Sequence, residues 1–401
     1  MNKVPSLRFK EFSGEWEEKE LGDISDVSKL AGFEFTNYVI YEDTGKIIAL
    51  RGLNIKNNKL YLNDVKYIDK SDFSKLKRSK LYKNDLMFTY VGTIGEVALI
   101  PEEDKFYLAP NVCRIRSTSK VNAKYLLFVF NSNIIRNEIY KYLTTTSQPA
   151  LSMENIRKFL IKLPCLKEQK KIADFLSSVD KKISIVEEKL NLFNQYKKGI
   201  MQKIFSQKLR FKDENGNNYP QWKEKRLGDI GTFFSGGTPK SDNKKYYNGD
   251  IPFIKSGEIS KDKTEQFITK LGLDNSSAKM VKKGDLLFAL YGATSGECAI
   301  SKINGAINQA VLVIRTEENT IFLFNYFKFY KDNIIKKFLQ GGQGNLSAEI
   351  IKMLNINFPC IEEQKKIADF LSAIDDKIEN ISDNLENLKL FKKSMLQKMF
   401  V

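Results

Sequence analysis

The sequence contains no histidine, and this absence excludes several kinds of active site. Without an imidazole the chain can form neither a Ser-His-Asp triad nor a Cys-His nucleophile, and no histidine can bind a metal ion. Its four cysteines are widely spaced, with no C-x-x-C pair and no zinc-ligand spacing. We therefore expect no metal site in this chain.

Long apolar runs are missing as well. Nowhere are about 18 consecutive residues apolar, and the N-terminal segment lacks the apolar stretch of a signal peptide. These two absences predict a cytoplasmic protein.

Basic residues outnumber acidic ones, 65 to 49, which gives a formal net charge of +16. Such an excess favours a polyanionic partner, with nucleic acid first and a membrane surface second. The 401 residues, 42% of them apolar, suffice for two or three domains with packed cores.

The sequence also repeats itself. The ten residues EQKKIADFLS occur at 168–177 and again at 363–372, each time shortly after a Pro-Cys pair. A second motif, a tryptophan followed by Leu-Gly-Asp-Ile, occurs near residue 20 and again near residue 226. We interpret the chain as a tandem duplication of a variable segment followed by a similar helical segment.

Each helical segment carries apolar residues at alternating spacings of four and three, a pattern typical of coiled coils. Lys197 and Lys392 break this seam at matching places. Because the first helix leads directly into the second variable segment, paired helices would have to run antiparallel; the alternative is two separate surface helices. The predicted seam comprises Ile172, Leu176, Val179, Ile183, Val186, Leu190, Ile367, Leu371, Ile374, Ile378, Ile381 and Leu385.

The pattern predicts an α+β fold with a pseudo-twofold internal repeat. Two similar globular domains, each a twisted β-sheet with helices, would be joined by two long helices that form an antiparallel coiled coil. Each domain should end in an aromatic-rich helix, 123–143 and 321–339, whose rings we expect in the core. The predicted divisions are 1–160 for the first domain, 161–208 for the first long helix, 209–357 for the second domain and 358–401 for the second long helix.

Polar residues at corresponding places in the two halves are candidates for reading DNA bases. Arg51 matches Lys255, Asn111 matches Asn308 and Gln148 matches Gln343. Such side chains can contact base edges in the major groove, although turns and strand ends use them too. The candidate set is Arg51, Asn54, Tyr90, Thr93, Asn111, Arg114, Gln148, Lys255, Tyr291, Thr294, Asn308, Gln309, Gln343 and Asn345.

Basic residues in predicted loops are candidates for phosphate contacts, which would position the protein without reading sequence. The alternative is a solvated charged surface. The candidates are Lys75, Lys77, Arg78, Lys80, Lys83, Lys240, Lys244, Lys245, Lys279, Lys282 and Lys283.

No catalytic motif emerges. The sequence has no G-x-x-x-x-G-K-[ST] loop and no Pro-Pro dipeptide, so the Pro-Pro site of an adenine methyltransferase is absent. Pro101–Lys105 loosely resembles a nuclease carboxylate cluster, but it has no counterpart in the second half, so we interpret it as a surface turn. We expect no catalytic residue in this chain.

This organisation resembles the specificity subunit of type I restriction–modification systems. The resemblance covers nearly the whole chain and depends mainly on the duplicated E-Q-x-x-I-A-x-F-L motif, together with the W…LGDI entry to each variable segment. It implies two target-recognition domains, each reading one half of a bipartite DNA site, and helices that set the gap between the halves.

The resemblance also implies partners. Two methyltransferase (modification) subunits would dock on the helices and use S-adenosylmethionine, and two restriction subunits would translocate DNA with ATP and Mg²⁺. This chain itself would bind no cofactor and no membrane, would carry no chemistry, and would lie in a bacterial cytoplasm.

Two alternatives remain at this point. The same architecture could serve a system in which nuclease and methyltransferase are fused in one partner. In a different class, the chain would be a self-contained, carboxylate-dependent nuclease, against which the missing catalytic motifs argue.

Overall fold

The computed structural model describes residues 4–143, 149–339 and 345–401. Its chain divides into two units, the first comprising Met1–Glu187 with Asp383–Val401 and the second Glu188–Ser382. Each long helix contributes to both units, so this division differs from the four sequence segments predicted above.

Unit 1 combines short strands with helices. Its strands are β1 (Glu17–Glu20), β2 (Ser25–Lys29), β3 (Ile48–Leu50), β4 (Ile55–Lys56), β5 (Lys59–Leu60), β6 (Lys66–Tyr67), β7 (Leu86–Thr89), β8 (Val97–Leu99), β9 (Phe106–Leu108), β10 (Val112–Ser117) and β11 (Leu160–Leu163). Its helices are α1 (Leu21–Ile24), α2 (Gly32–Tyr38), α3 (Ala123–Phe130), α4 (Asn133–Tyr142), α5 (Met153–Arg157) and the first part of α6 (Leu166–Phe205).

Unit 2 repeats this plan. Its strands are β12 (Lys223–Arg226), β13 (Gly231–Ser235), β14 (Tyr247–Ile254), β15 (Phe267–Ile268), β16 (Lys279–Val281), β17 (Leu286–Ala289), β18 (Cys298–Ile300), β19 (Gly305–Ile307), β20 (Val311–Thr316) and β21 (Asn355–Phe358). Its helices are α7 (Lys270–Asp274), α8 (Thr320–Leu339), α9 (Ala348–Lys352) and the first part of α10 (Ile361–Lys398).

Both units are built on an antiparallel sheet of four strands, in the order β2-β10-β7-β8 in unit 1 and β13-β20-β17-β18 in unit 2. The central strands are short apolar runs between turn residues, and all four residues of β7 and of β17 are buried. A second sheet, of three strands in unit 1 and four in unit 2, contains a parallel pair in each unit, β3 with β9 and β14 with β19. The two halves therefore share topology as well as sequence.

The aromatic residues of the domain helices pack into the cores, as predicted, except for Tyr140, which is 69% exposed. Tyr125 and Phe128 on α3, and Phe322 and Phe327 on α8, are at most 1% exposed. The prediction of one helix over 123–143 was wrong, however. The Ser132 hydroxyl accepts a hydrogen bond from the backbone of Ile134 (3.3 Å) and begins a new helix, α4.

The glutamate of the repeated motif fastens each long helix to an upstream segment. Glu168 and Glu363 are at most 1% exposed, and each accepts two hydrogen bonds from one guanidinium. Arg8 donates to Glu168 (2.8 and 2.8 Å), and Arg210 donates to Glu363 (2.9 and 2.7 Å). We call these two buried pairs the clasps. Both arginines belong to the sequence Leu-Arg-Phe-Lys, which occurs at 7–10 and again at 209–212, and the clasps explain why this sequence is repeated together with the motif.

The glutamine of the motif joins two elements. Gln169 accepts a hydrogen bond from the backbone of Asn122, the N-cap of α3, and donates to the carbonyl of Pro164 (both 2.9 Å). Gln364 makes the same two contacts, to the backbone of Asn319 and to Pro359, at the same distances. The motif is thus structural, because its polar groups are satisfied inside each unit.

The long helices pair along the predicted seam. Of its twelve residues, ten are buried, and Leu190 and Ile378 are half-buried. Burial of a side chain of this size stabilises the fold by about 1.5–3 kcal/mol. In unit 1 the contacts run antiparallel, since Asp180 pairs with Lys392 and Glu187, further along α6, pairs with the earlier residue Lys389. The predicted α+β fold with two similar domains and long helices is confirmed.

Candidate DNA interface

A cleft of about 560 Å³ lies in unit 1, where three strand ends meet. Arg51 directly follows β3, Thr93 lies in the turn after β7, and Asn111 immediately precedes β10. All three line the cleft, together with Tyr41 and Lys56. The structure therefore brings together three of the base-reading candidates that are far apart in the sequence.

Arg51 is held in place by a neighbouring loop. One guanidinium nitrogen donates to the carboxylate (2.8 Å) and to the carbonyl (3.0 Å) of Asp64. Its Nε is buried and has no hydrogen-bond partner within the part of the chain that the structure describes. Asp64 thus holds the guanidinium in one orientation at the wall of the cleft.

The other two base-reading candidates in the cleft, Thr93 and Asn111, are exposed on turns. Asn111 has a φ of 72°, a left-handed conformation that asparagine tolerates better than most residues, and its carbonyl accepts a hydrogen bond from the backbone of Tyr90 (3.2 Å). Thr93 follows Gly92, whose φ of 79° the turn requires. The glycine here serves the turn, and the polar side chains beside it are accessible.

Two members of the predicted set are wrong as base readers. Asn54 is 0% exposed, and its side chain bonds to the backbone of Arg51, Tyr61 and Asp64. Arg114 is 4% exposed and donates to the carbonyl of Arg78 (3.1 Å), to Ser28 Oγ (3.0 Å) and to the Asp26 carboxylate. Both side chains support the fold from inside and cannot reach a base edge.

The tyrosines among the candidates are partly buried. Burial raises the pKa of Tyr90 and of Tyr291, and both rings pack against the core of their unit. Burial also raises the pKa of Tyr41, although the charge of nearby Arg51 opposes that shift. These phenols therefore stay protonated and can donate a hydrogen bond at neutral pH.

In unit 2 the best match to Arg51 is Lys255. It directly follows β14, is exposed, and begins the same short turn. The turn is closed alike in both units, because Asn54 accepts from the backbone of Arg51 (3.1 Å) and Glu258 from that of Lys255 (3.4 Å). The pairing of these two basic residues by sequence is therefore supported by their geometry.

The predicted match of Asn111 with Asn308 was wrong. Leu50 pairs with Leu108 in unit 1, and Ile254 pairs with Ile307 in unit 2. Asn308, which follows Ile307, thus corresponds to Ala109, while Asn111 corresponds to Ala310. The two stretches between these strands are equally long, but the asparagine is the last residue of the stretch in unit 1 and the first in unit 2.

The remaining base-reading candidates of unit 2 occupy its surface loops. Gln309 is exposed and accepts a hydrogen bond from the Thr238 hydroxyl (2.7 Å), Thr294 and Asn308 are half-buried, and Asn345 is exposed. Gln148 and Gln343 lie outside the described residues.

The phosphate candidates lie at the surface. Ten of the eleven are exposed: Lys75, Lys77, Arg78, Lys83, Lys240, Lys244, Lys245, Lys279, Lys282 and Lys283. Lys80 differs, because it is half-buried and pairs with Asp104 (2.6 Å), which raises the pKa of the lysine. Its charge is already compensated within the unit.

The acidic turn at 101–105 is a surface feature, as predicted. Glu102 pairs with Lys105 (2.8 Å), Asp104 pairs with Lys80, and Glu103 accepts from the backbone of Lys83 (3.1 Å). Among the described residues, no group of three or more Cys, Asp or Glu side chains could hold a metal ion. No described helix is long and apolar enough to cross a membrane.

Sequence reasoning missed Tyr41, Lys56 and Asp64. Tyr41 and Lys56 line the cleft, and Asp64 holds Arg51 from outside it. These three residues lie in the variable part of the chain, so the comparison of the two repeats could not identify them. Only the folded loops bring them to Arg51.

A family model described as the type I restriction modification DNA specificity domain matches residues 13–195 and 219–390. The chain belongs to this family. The matched segments correspond to the two halves of the internal repeat. The prediction of a DNA specificity chain, with no catalytic role of its own, is confirmed. Neither alternative, the fused partner or the self-contained nuclease, gains support.

Related proteins agree with this assignment along the whole chain. The putative type I restriction enzyme MjaX specificity subunit of Methanocaldococcus jannaschii is 26% identical over 96% of this chain and 93% of its own length. The MjaVIII specificity subunit of the same organism is 23% identical over 97% and 94%. The crystal structure of the type I restriction–modification S subunit from M. genitalium shares the fold, with a TM-score of 0.62, 16% identity and 99% of each chain covered.

Proposed function

We propose that each unit of this specificity chain binds one half of a bipartite double-stranded DNA target. The observation that carries the proposal is the basic residue at the end of the same strand in both units, Arg51 after β3 and Lys255 after β14. The family membership and the net charge of +16 support a DNA partner.

The base readers in unit 1 are Arg51, Thr93 and Asn111. Arginine bonds to guanine, and asparagine to adenine, through paired hydrogen bonds in the major groove. The position of Arg51 in the cleft and the exposure of Asn111 support these roles. Tyr90 adjoins the same turn. In unit 2 the corresponding set is Lys255, Tyr291, Thr294, Asn308, Gln309 and Asn345, and Gln148 and Gln343 belong to the proposal on sequence grounds alone.

The exposed lysines hold the phosphate backbone. Those of 75–83 in unit 1, and those of 240–245 and 279–283 in unit 2, carry charges available to phosphates. Their contacts set orientation and affinity without selecting a sequence.

The two long helices set the gap between the half-sites and bind two methyltransferase subunits. α6 exposes Ile185, Leu192 and Tyr196, and α10 exposes Leu390 and Phe391, which is more apolar surface than a pair of solvated helices needs. The methyltransferases supply S-adenosylmethionine chemistry, and two restriction subunits supply ATP- and Mg²⁺-dependent translocation. The assembly works in the bacterial cytoplasm.

The decisive experiment is a methylome. The chain is expressed together with its neighbouring methyltransferase in a host free of DNA methylation, and modified adenines are mapped by long-read sequencing. We expect one split motif, two short defined halves around a fixed gap. A stable complex that methylates no such motif would contradict the proposal. The variants Arg51→Gln and Lys255→Gln serve as a matched pair, each altering one half only.

A further inference from the structure

Both lysines that interrupt the apolar seam are engaged in ion pairs across it. Lys197 Nζ lies 2.6 Å from each carboxylate oxygen of Asp375, and Lys392 Nζ lies 2.5 Å from Asp180 Oδ1. The lysine side chains are only 10% and 18% exposed. Each pair lies within one unit, the first in unit 2 and the second in unit 1.

The two pairs are copies of each other. The two EQKK motifs begin 195 positions apart, and this offset also separates Lys197 from Lys392 and Asp180 from Asp375. Each helix therefore contributes one lysine and one aspartate. Asp180 and Lys197 are separated by as many residues on α6 as Asp375 and Lys392 are on α10. A single antiparallel register therefore satisfies both pairs.

Stability alone does not explain charged groups at these positions. Burial lowers the pKa of Lys197, although Asp375 opposes the shift, so the charged form is disfavoured by its surroundings. A well-packed apolar pair of similar volume would stabilise such a site at least as well. Polar groups at seam positions are known instead to select one register, because every other alignment leaves them unpaired.

A shift of one helix by one heptad along the other would leave these lysines without their partners. In one direction Lys197 comes opposite Ser382 and Lys392 opposite Glu187; in the other both lysines come opposite alanines, Ala368 and Ala173. No heptad slip keeps a carboxylate opposite both lysines. The apolar seam residues, being alike in size and polarity, distinguish these alignments far less.

We propose that the pairs Lys197–Asp375 and Asp180–Lys392 fix the register of α6 against α10. They act as positioning residues and touch no ligand. The inference concerns the helices themselves and does not depend on the proposed function.

Zero-length carbodiimide cross-linking of the full chain reads this register directly. Glu187 and Lys389 flank the seam, are 41% and 52% exposed, and lie 2.8 Å apart, so they should give one amide cross-link that peptide mapping identifies. In a variant with all four register residues changed to leucine, we expect a folded protein of equal or higher melting temperature. The yield of this cross-link should fall several-fold as slipped registers appear. An unchanged yield would overturn the proposal.

Charge exchange provides a second test that does not depend on the leucine variant folding. Lys392→Asp alone should lose the Glu187–Lys389 cross-link, and adding Asp180→Lys should restore it. A folded double variant that lacks the cross-link would contradict the pairing. As a control, Lys389→Arg removes the cross-linking amine and keeps the charge, so it should abolish the cross-link without moving the melting temperature.

The methylome gives a third readout, which does rest on the proposed function. Slipped helices should yield methylated sites with more than one gap length, whereas the charge-exchanged pair keeps a single gap. If the cross-link responds as expected but no split motif is ever methylated, the register inference stands and the proposed function fails.

Discussion

The two units share the ion pairs that hold their sheets and differ in the side chains at their strand ends. In unit 1 Arg116 donates two hydrogen bonds to Asp85, and in unit 2 Arg315 does the same to Asp285. By contrast, exposed Asn111 before β10 has buried Ala310 before β20 as its counterpart. One scaffold thus carries different side chains at matching strand ends, as the proposed recognition of two different half-sites requires.

The two clasps differ in one hydrogen bond, so matched substitutions of their glutamates compare the stability of the two units. Glu363 accepts from Arg210 and also from Trp222 Nε1 (3.1 Å), whereas Trp16 Nε1 in unit 1 is buried without a partner among the described residues. We expect Glu363→Ala to destabilise unit 2 by about 1.5–3 kcal/mol, because it removes the carboxylate partner of Arg210 and Trp222, although Arg210 still donates to the carbonyls of Tyr219 and Pro220.

The matched variant Glu168→Ala should cost unit 1 about 1 kcal/mol less, since it breaks one hydrogen bond fewer. Hydrogen exchange of each unit in the full chain measures both losses. Equal losses would show that the tryptophan contributes nothing to the difference.

The strand-end residues should separate the units by sequence preference. Arg51→Ala is expected to weaken binding of the first half-site by about 1–3 kcal/mol and to relax that half of the motif only. Lys255→Ala should do the same to the second half. Competition binding with DNA substituted in one half at a time gives the values. If either variant relaxes both halves, the assignment of one half-site to each unit is wrong.

Acid should affect the bond between Asp285 and Arg315 in unit 2. Burial alone would raise the pKa of Asp285, but Arg315, through its hydrogen bonds and charge, and Lys282, through its backbone N–H and charge, together lower it overall. A lowered carboxyl pKa contributes stability above its unfolded value, near 4, and that stability is lost as the pH falls through the folded value.

We therefore expect Asp285→Asn to cost about 1–2 kcal/mol at pH 7, discounted because Arg315 is 40% exposed, and less near pH 2. Urea unfolding at the two pH values tests this. A cost that is equal at both pH values would mean that packing, and not charge, explains it.

Single surface lysines should have the smallest effect. Lys75→Ala is expected to weaken binding to all DNA sequences alike and to reduce the salt slope, in log–log terms, by about 1. Lys70→Ala is the control, because Lys70 already pairs with Glu42 (2.6 Å). Binding titrations at several salt concentrations compare the two. A sequence-selective loss for Lys75→Ala would contradict a phosphate role.

Periodicity made the helical half of the fold predictable. The seam residues and the repeat are visible in the sequence because a heptad pattern is local and long. The break between α3 and α4 was missed, although Asn131-Ser132-Asn133 carries the capping residues that begin a new helix.

The candidate site was predictable only in part. Arg51 and Asn111 were found because strand ends expose polar residues. Asn54 and Arg114 were misassigned because their burial depends on Asp64 and on Asp26, which approach from other segments. Tyr41 carries no sequence signal, since the loop that brings it to Arg51 has no period.

The clasps have a consequence for exchanging parts between specificity chains. Each clasp joins residues that precede a domain to the helix that follows it, so both partners must travel together. A transferred segment that starts before Arg210 and ends after Glu363 brings its own pair. A shorter segment, which carries only one of the two clasp residues, needs the other from the recipient chain. Because both clasps are arginine–glutamate pairs, a recipient chain can provide that residue at either position. We therefore expect a foreign recognition segment to fold at either position when both residues of its clasp are present.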